Sequence, residues 1–466
     1  MSQQSRRDFI KTGLLSTLFL GSGLTTKKVY HDVLETGKAR NIIFMVSDGM
    51  SSGTLAMSDL MLRRRDGKRS NWLRLYEEGK VSRGLMDMAS ANGIITDSSA
   101  ASSSWGCGHR VNNGAVNVGP DGKHHKPILP VCRDAGKATG LVTTAEITHA
   151  TPAGFAVNVE SRNMAEKIAG QYLERGIDLL LGGGNRYFDP AQNSQGLDIY
   201  EMYLNEGYDI VRDKTELGRR VNSNAPLLGI FSEGHLPYSL DYQHTAELRE
   251  NIPSLSEMTE IALRKLSKNE DGFILQVEGA RIDHAAHGND AGGLIFDQIE
   301  FDNALGVALA YAESRDDTLV IIATDHGNAN PGFNSAPDEH FDKIAEFTYT
   351  NDWIHSGLNG QSSVSQIRER VEAATRIGIS IKEAEAYQQA VKGTYSTIYN
   401  KMTSPQAVLG QVIANHTDIN WISTSHTADY VEVASFGPGS EAIDGFVRNT
   451  DLFTVMVEAA GVRDYV

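Results

Sequence analysis

The sequence is poor in cysteine and has no long apolar run. Cys107 and Cys132 are the only cysteines among 466 residues, too few for a disulfide-stabilised scaffold. We expect two buried free thiols, with a disulfide formed after export as the alternative. No stretch reaches the ~20 consecutive apolar residues that a membrane-spanning helix needs. We therefore expect no membrane association once any export signal is removed.

Positive charge is also scarce. The chain carries 43 lysines and arginines against 59 aspartates and glutamates, for a formal net charge of −16. Nucleic-acid binders normally present a basic face, so this composition argues against a nucleic-acid partner. An acidic protein can still bind phosphate where metal ions or a few arginines supply positive charge locally.

The N-terminus carries a pattern typical of export. Residues 5–11 read Ser-Arg-Arg-Asp-Phe-Ile-Lys, and residues 13–24 form a short apolar run broken by Ser, Thr and Gly. The paired arginines followed by Phe9 are similar to a twin-arginine signal. We predict that residues 1–30 are a twin-arginine-type export signal, read by the twin-arginine export machinery, and that the protein is periplasmic or secreted. The alternative is a chance Arg-Arg pair before a buried helix.

Short apolar runs alternate with helical patterns, which predicts an α/β fold. Phe301, Leu305 and Leu309 recur every four residues, as one buried helix face requires. The expected elements are strands at 41–47, 140–144, 177–181, 228–231, 272–277 and 318–324, and helices at 55–65, 164–175, 258–267 and 295–313. This alternation indicates a largely parallel central sheet with helices on both faces.

Residues 330–422 differ from the rest of the chain. Two helix-like stretches, 366–375 and 381–392, are separated by loops rich in Ser, Asn and Gly. We predict that 38–329 form the core of the fold, that 330–422 are an inserted helical segment acting as a lid or an oligomer contact, and that 423–466 return to the core with a strand near 430–435.

Polar residues follow several predicted strands. Asp48, Thr144, Glu278 and Asp325 each come at the end of an apolar run. Ligands of open α/β sheets bind beyond the carboxyl ends of the strands, so these side chains should meet at one edge. Each one alone could instead cap the following helix.

Two motifs offer metal ligands. In residues 277–287, Asp283 and His287 lie four apart, so on a helix they share a face and can bind one ion. Asp325 and His326 end an apolar strand, and Gly327 permits the turn that would let both reach one ion. Oxygen and imidazole ligands suit zinc. A solvated polar loop is the alternative for the first motif.

Other candidate ligands are more isolated. Asp48 and Gly49 repeat the pattern of a strand followed by an acid and a glycine, which could also be a plain strand-to-turn junction. His426 lies far along the chain, before the strand near 430–435. A late histidine can complete a metal site, although a lone histidine is more often structural.

The serine-rich run 98–104 follows Asp97. It could be a flexible linker, but it is dense in alanine and leads into Trp105 and Cys107, which favour a packed core. The alternative is a helix that begins near Ser98 with its backbone N–H groups facing an anion. A serine there could be a nucleophile if a metal lowered its hydroxyl pKa.

Arg162 is a candidate anion ligand. It follows the segment 142–152 and the pair Glu160-Ser161. Its guanidinium could donate to two phosphate oxygens at once. The alternative is an ordinary surface arginine.

Taken in order, these motifs resemble the alkaline phosphatase family of metal-dependent phosphomonoesterases. The resemblance covers residues 41–328 and 424–456, including Asn449-Thr450-Asp451-Leu452-Phe453. It implies phosphate monoesters as substrates, two zinc ions and one magnesium ion as cofactors, and a homodimer.

The resemblance also implies roles for single residues. Ser98 would be the nucleophile that becomes phosphorylated and would contact the second zinc. Arg162 would clamp the phosphoryl oxygens, with Asp97 orienting it. The metal ligands would be Asp283, His287 and His426 for the first zinc, Asp48, Asp325 and His326 for the second, and Asp48, Thr151 and Glu278 for magnesium.

Three positions depart from the best-known bacterial pattern. His149 stands where that pattern has Asp, and His284 where it has Lys, as in animal members of the family. We expect His149 beside the magnesium site without being a direct ligand, and His284 to contact substrate. Ser99 stands where Ala is usual, and we expect a minor effect.

Two other functions remain as alternatives. A phosphodiesterase or sulfatase could share this fold, although Ser98 is followed by Ser-Ala-Ala and not by the Cys-x-Pro-x-Arg motif of sulfatases. A secreted phosphate-binding protein without turnover is the other alternative.

Overall fold

The computed structural model describes residues 39–334 and 336–466, so the predicted signal at 1–30 lies outside the described residues. The strands are β1 (Asn41–Ser47), β2 (Ser82–Asp87), β3 (Ala138–Glu146), β4 (Leu179–Gly183), β5 (Asp209–Val211), β6 (Leu227–Ile230), β7 (Phe273–Gly279), β8 (Thr318–Ala323), β9 (Gly327–Asn328), β10 (Gly332–Phe333), β11 (Ile419–Asn420), β12 (His426–Thr427), β13 (Val431–Phe436) and β14 (Gly445–Arg448).

The α-helices vary from a single turn to the long helix α13. They are α1 (Ser52–Asp66), α2 (Asn71–Glu77), α3 (Ser98–Cys107), α4 (Ile128–Asp134), α5 (Ala150–Ala156), α6 (Ala165–Glu174), α7 (Ile199–Asn205), α8 (Lys214–Arg220), α9 (Ser239–His244), α10 (Ala246–Asn251), α11 (Leu255–Leu266), α12 (Arg281–His287), α13 (Ala291–Glu313), α14 (Asp338–Asp342), α15 (Asn351–Ser356), α16 (Val364–Thr375), α17 (Ile381–Val391), α18 (Pro405–Thr417) and α19 (Asp451–Ala460).

A ten-stranded sheet organises the chain, in the order β14-β2-β13-β8-β1-β7-β3-β4-β6-β5. The strands from β8 to β5 are parallel, whereas β13 runs antiparallel to both β8 and β2. Every residue of β1, β7 and β8 is buried, as expected for parallel strands covered on both faces.

Alternate side chains of β1 show the two covered faces directly. Ile43 and Met45 belong to one hydrophobic cluster, whereas Ile42, Phe44 and Val46 belong to the other. Because successive strand residues point to opposite faces, both sides of the sheet are packed. The predicted α/β class, with a largely parallel sheet between helices, is confirmed.

The boundaries differ from the prediction for local reasons. The helix predicted at 258–267 begins at Leu255, because Ser254 and Glu257 form a capping box before its apolar face starts. Similarly, α13 begins at Ala291 instead of 295, because Asp290 accepts a hydrogen bond from Gly293 N at its start. Thr144 and Glu278 lie inside β3 and β7, since these strands stay paired through Thr143 and Glu278.

The segment 330–422 contains α14 to α18. Its buried residues Ile367, Val371 and Tyr387 join the same hydrophobic cluster as Ile43 and Met45. Asn351 N, at the start of α15, donates to Asp290 Oδ2 at 2.6 Å. The segment therefore packs directly on the helix layer of the sheet.

Two sequence expectations concern cysteine and membrane helices. Both Cys107 and Cys132 are buried free thiols. Within residues 39–334 and 336–466, no helix has the length and hydrophobicity needed to cross a bilayer.

Candidate active site

The carboxyl ends of three adjacent strands deliver acidic side chains to one place. Asp48 follows β1, Glu278 lies near the end of β7, and Asp325 follows β8. Asp283 comes from the first turn of α12, and a Cβ on Gly49 would lie 2.5 Å from its Oδ1 atom. Gly49 also has a φ of +68°, so this glycine both makes the turn after β1 and leaves room for Asp283.

One group of possible metal ligands surrounds His326. Its Nε2 atom lies 3.0 Å from Asp325 Oδ2 and 3.8 Å from Asp48 Oδ1. Ligand atoms of these three residues lie within 4.8 Å of one another. Ser98 Oγ is 3.5 Å from His326 Nε2, so the predicted nucleophile adjoins this group.

A second group includes Asp283, His326 and His426. His426 Nε2 lies 3.6 Å from Asp283 Oδ1, and its ring stacks on His326 with centroids 3.6 Å apart. His287 Nε2 lies 3.4 Å from Asp283 Oδ2 and 3.0 Å from His426 Nε2. The three residues predicted for the first zinc are thus neighbours, and His326 lies between the two groups.

Backbone carbonyls orient two of these imidazoles. His287 Nδ1 lies 2.7 Å from Thr424 O, and His426 Nδ1 lies 2.9 Å from Thr96 O. A carbonyl only accepts, so each Nδ1 carries a proton, and in the neutral ring each Nε2 keeps a lone pair. This orientation leaves both Nε2 atoms free to bind a metal. His426 lies beside His326 because β12 pairs with β9, which follows β8.

A third group comprises Asp48, His149 and Glu278. Thr151 Oγ1 donates to Asp48 Oδ2 at 3.4 Å, which places this threonine beside the group. Arg162 Nη2 donates to His149 Nε2 at 3.0 Å. Because a guanidinium cannot accept, the proton of the neutral His149 ring lies on Nδ1. In this arrangement His149 supports Arg162, while Asp48 and Glu278 supply oxygen atoms.

The electrostatics of these groups fit bound cations. Among the described residues, the buried atoms Asp48 Oδ1, Glu278 Oε1 and Asp325 Oδ2 have no hydrogen-bond partner. Burial, with Asp325 and Asp283 nearby, raises the pKa of Asp48 well above its usual value. Burial also raises the pKa of Glu278 to about 7. Buried, unpartnered carboxylates are costly unless a cation or a proton neutralises them.

Asp283 and the neighbouring histidines shift one another's pKa values. Burial opposes the ionisation of Asp283, but His287 and His326 hold its pKa well below its usual value. Burial likewise opposes the charge on His287, yet Asp283 raises its pKa to about 9. Burial, with His326 nearby, lowers the pKa of His426 to about 4. Carboxylate oxygens and imidazole nitrogens together suit zinc, whereas the oxygens of Asp48 and Glu278 suit magnesium.

The serine-rich run is a helix and not a linker. Asp97 caps α3, because its Oδ1 atom accepts a hydrogen bond from Ala100 N at 2.9 Å. A Cβ on Gly106 would lie 2.0 Å from Gly154 O, so α3 and α5 pack with their backbones close together. Ser98 is the first residue of α3 and is buried.

Asp97 and His149 hold the guanidinium of Arg162. Arg162 Nη1 lies 3.1 Å from Asp97 Oδ2, and Arg162 N donates to Gly114 O at 2.7 Å. The side chain remains 23% exposed. Arg162 is thus fixed at the edge of the site with part of its donor face open to a ligand.

Three hydrogen bonds to the site residues were not predicted from the sequence. Thr143 Oγ1 donates to Glu278 Oε2 at 2.5 Å, and Asn328 Nδ2 donates to Asp283 Oδ1 at 2.7 Å. Ser99 Oγ donates to Asp97 Oδ2 at 2.7 Å. Ser99 lies next to Ser98 and Thr143 lies next to Thr144, so their positions in the sequence could have indicated these contacts. No such position indicated His235, whose ring lies 4.4 Å from that of His284 between centroids.

Comparisons with known proteins agree on one family. The alkaline phosphatase family model matches residues 39–462. Alkaline phosphatase 4 of Bacillus subtilis strain 168 is 32% identical over 451 residues, covering 94% of this chain and 92% of that protein. Alkaline phosphatase of Escherichia coli K12 is 30% identical over 473 residues, covering 93% and 88%.

Solved structures give the same result. The crystal structure of Thermus thermophilus alkaline phosphatase superposes with a TM-score of 0.86 at 33% identity, covering 95% of each chain. The cold-active alkaline phosphatase from a psychrophilic Shewanella superposes with a TM-score of 0.75 at 25% identity, covering 89% of this chain and 98% of that one.

Proposed function

The chain belongs to the alkaline phosphatase family, whose members hydrolyse phosphate monoesters, and we propose that it does so through a phosphorylated Ser98. The Ser98 hydroxyl attacks phosphorus, the bond from phosphorus to the ester oxygen breaks, and the alcohol leaves. Water then hydrolyses the phosphoserine, releasing inorganic phosphate and restoring Ser98.

Two zinc ions and one magnesium ion complete this proposal. Metal ions in these sites would lower the pKa of a hydroxyl or water and would stabilise negative charge on the attacking and leaving oxygens. The proposed ligands are Asp283, His287 and His426 for the first zinc, Asp48, Asp325, His326 and Ser98 for the second, and Asp48, Thr151 and Glu278 for magnesium. The unpartnered buried oxygens of Asp48, Glu278 and Asp325 support these assignments.

Arg162 and His284 contact the substrate, and Asp97 orients Arg162. Arg162 donates to phosphoryl oxygens, and its contacts with Asp97 and His149 fix its direction before substrate arrives. The N-terminus of α3 adds backbone N–H groups around Ser98, which favour an anion there. His284 is a further contact to the phosphoryl group.

The arrangement at the start of α3 is the observation that supports the proposal most directly. Ser98 Oγ lies 3.5 Å from His326 Nε2, and Asp97, next to it in sequence, holds Arg162 at 3.1 Å. The helix α3 therefore links a candidate nucleophile, a group of metal ligands and an anion clamp within a few residues.

A two-substrate assay tests the reaction class. The metal-loaded protein should cleave p-nitrophenyl phosphate much faster than bis-p-nitrophenyl phosphate. Faster cleavage of the diester would favour the phosphodiesterase alternative. Binding of phosphate without turnover of either ester would favour the phosphate-binding alternative.

Location and assembly belong to the same proposal. We propose export by the twin-arginine machinery to the periplasm or the medium, directed by residues 1–30, and assembly as a homodimer. Within the chain, 38–329 and 423–466 form the catalytic core, and 330–422 form the inserted segment. Blue native electrophoresis of the exported protein would test the dimer.

A further inference from the structure

Arg281, the first residue of α12, has no role in the reaction described so far. Its Nη1 atom lies 2.9 Å from His284 Nδ1. A guanidinium stays protonated and can only donate, so His284 Nδ1 must be the acceptor. A nitrogen that accepts this hydrogen bond bears no proton of its own. The ring is therefore neutral, with its single proton on Nε2.

The Nε2–H group of His284 is available to a ligand. The residue is partly exposed, and His284 Nε2 hydrogen bonds to none of the described residues. The ring meets His149 edge-on, with centroids 5.8 Å apart, and His149 contacts Arg162 at 3.0 Å. His284 thus presents a free N–H donor beside the arginine that clamps the phosphoryl group.

Arg281 is itself held from two sides. Its guanidinium carbon lies 3.6 Å from the centroid of the Tyr238 ring, which is a close cation–π contact. Its Nη2 atom lies 3.5 Å from Asp352 Oδ2, and its side chain is only 11% exposed. Asp352 belongs to α15 of the inserted segment. Arg281 therefore connects the inserted segment to His284.

We propose that Arg281 is a positioning residue that keeps the proton of His284 on Nε2, so that this imidazole donates a hydrogen bond to a phosphoryl oxygen. Asp352 and Tyr238 hold Arg281 in place. This inference rests on the proposed function, because it gives His284 a defined proton to donate to the substrate.

A purely structural role for Arg281 makes different predictions. If the arginine only tied α12 to the inserted segment, its loss would lower thermal stability and active fraction without a specific effect on phosphate binding. If it acts through His284, its loss should weaken phosphate binding and should have no further effect once His284 is gone.

The test compares the unmodified protein with five variants, all of them metal-loaded. Arg281→Met keeps an aliphatic stem on Tyr238 but removes the donor, and Arg281→Lys restores one donor. His284→Ala and the double variant R281M/H284A complete a mutant cycle. Arg212→Met is the matched control, because Arg212 lies over the ring of Tyr200 at 3.9 Å and makes no hydrogen bond to an imidazole among the described residues.

Kinetics give the first readout. R281M should raise KM for p-nitrophenyl phosphate and the inhibition constant of inorganic phosphate by about fivefold, the scale of one lost hydrogen bond, with a smaller change in kcat. R281K should recover part of this loss. The double variant should match H284A. If the effects of R281M and H284A on these constants were fully additive in the double variant, the proposal would be overturned. An unchanged inhibition constant of phosphate in R281M would also overturn it.

Nitrogen-15 NMR of labelled histidines gives a readout that needs no turnover. The His284 signals, identified by their absence in H284A, should report a proton on Nε2 in the unmodified protein and a mixture of tautomers in R281M. An unchanged His284 spectrum in R281M would overturn the positioning role. Failure of the proposed function would appear differently, as absent turnover in the unmodified protein.

Discussion

Two adjacent regions of the site carry opposite electrostatics. The acidic region gathers four buried carboxylates, Asp48, Glu278, Asp283 and Asp325. The histidine–arginine region gathers His149, His235 and His284 with Arg162 and Arg281. Burial raises the pKa of Asp48 and of Glu278, whereas burial and the arginines lower the pKa of His149 and of His284.

This difference in charge explains how one site can bind both cations and a phosphate ester. The acidic region stores negative charge that is stable only when cations neutralise it. The histidine–arginine region keeps its imidazoles neutral, so the arginines alone carry positive charge toward an anion. His149 joins the regions, because it groups with Asp48 and Glu278 and also contacts Arg162.

Removal of metal ions should have the largest effect, and it acts on the acidic region. Chelation should abolish turnover of p-nitrophenyl phosphate, with a loss of about 1,000-fold or more. It should also lower the melting temperature, because the carboxylates lose the ions that stabilise the folded state. Activity and calorimetry before and after dialysis against chelator measure both effects.

Repletion is the control for this experiment. Zinc plus magnesium should restore activity and melting temperature together. Full turnover by a protein shown to be metal-free by elemental analysis would contradict the account of the acidic region.

Loss of Arg162 should have the next largest effect, and it acts on the other region. Arg162→Ala should raise KM and the inhibition constant of phosphate by roughly 10- to 100-fold, because a two-pronged charged hydrogen bond is lost. The constants of Arg162→Lys should lie between those of the unmodified protein and those of Arg162→Ala, since lysine keeps the charge but lacks the two-pronged guanidinium. Steady-state kinetics measure both variants.

The exposed Arg219 of α8 offers a control, because Arg219→Ala changes charge away from the site. Metal content should be unchanged in all three variants. A loss of zinc in Arg162→Ala would show that the two regions are not separable.

Neutralising Glu278 should change how the stability of the metal-free protein depends on pH. Its pKa is raised from 4.5 to about 7 by burial, so the folded state holds its proton more tightly than the unfolded state. This contribution to stability is present below pH 4.5 and is lost as the pH rises toward 7. Glu278→Gln should remove about 3 kcal/mol of that pH-dependent change.

Denaturant unfolding of metal-free protein across this pH range measures the change. Glu250→Gln, an exposed position on α10, should leave the pH profile as it is. An equally steep profile in Glu278→Gln would mean that Glu278 is ionised in the metal-free fold.

The two regions also differ in how well the sequence predicts them. The acidic region follows from the alternation of strands, because Asp48 and Asp325 end parallel strands that share one edge. Ser98 could be predicted as the nucleophile only from the family resemblance, since a serine-rich run alone is equally typical of a flexible linker.

The histidine–arginine region depends on contacts that sequence patterns do not encode. Arg281 reads as an ordinary arginine at a helix start, and its partner Asp352 lies 71 residues away in another segment. The tautomer of His284 follows only from seeing which nitrogen faces the guanidinium. The sharing of His326 between two metal groups likewise depends on three-dimensional packing and not on spacing.

Trapping the phosphorylated enzyme tests the central claim most directly. Metal-loaded protein mixed with p-nitrophenyl phosphate and quenched in acid should carry phosphate on Ser98, identified by mass spectrometry of the peptide. Ser98→Ala should bind the same metals, carry no phosphate and lose most of its turnover. Unchanged turnover in Ser98→Ala, or phosphate trapped on a different residue, would contradict the account.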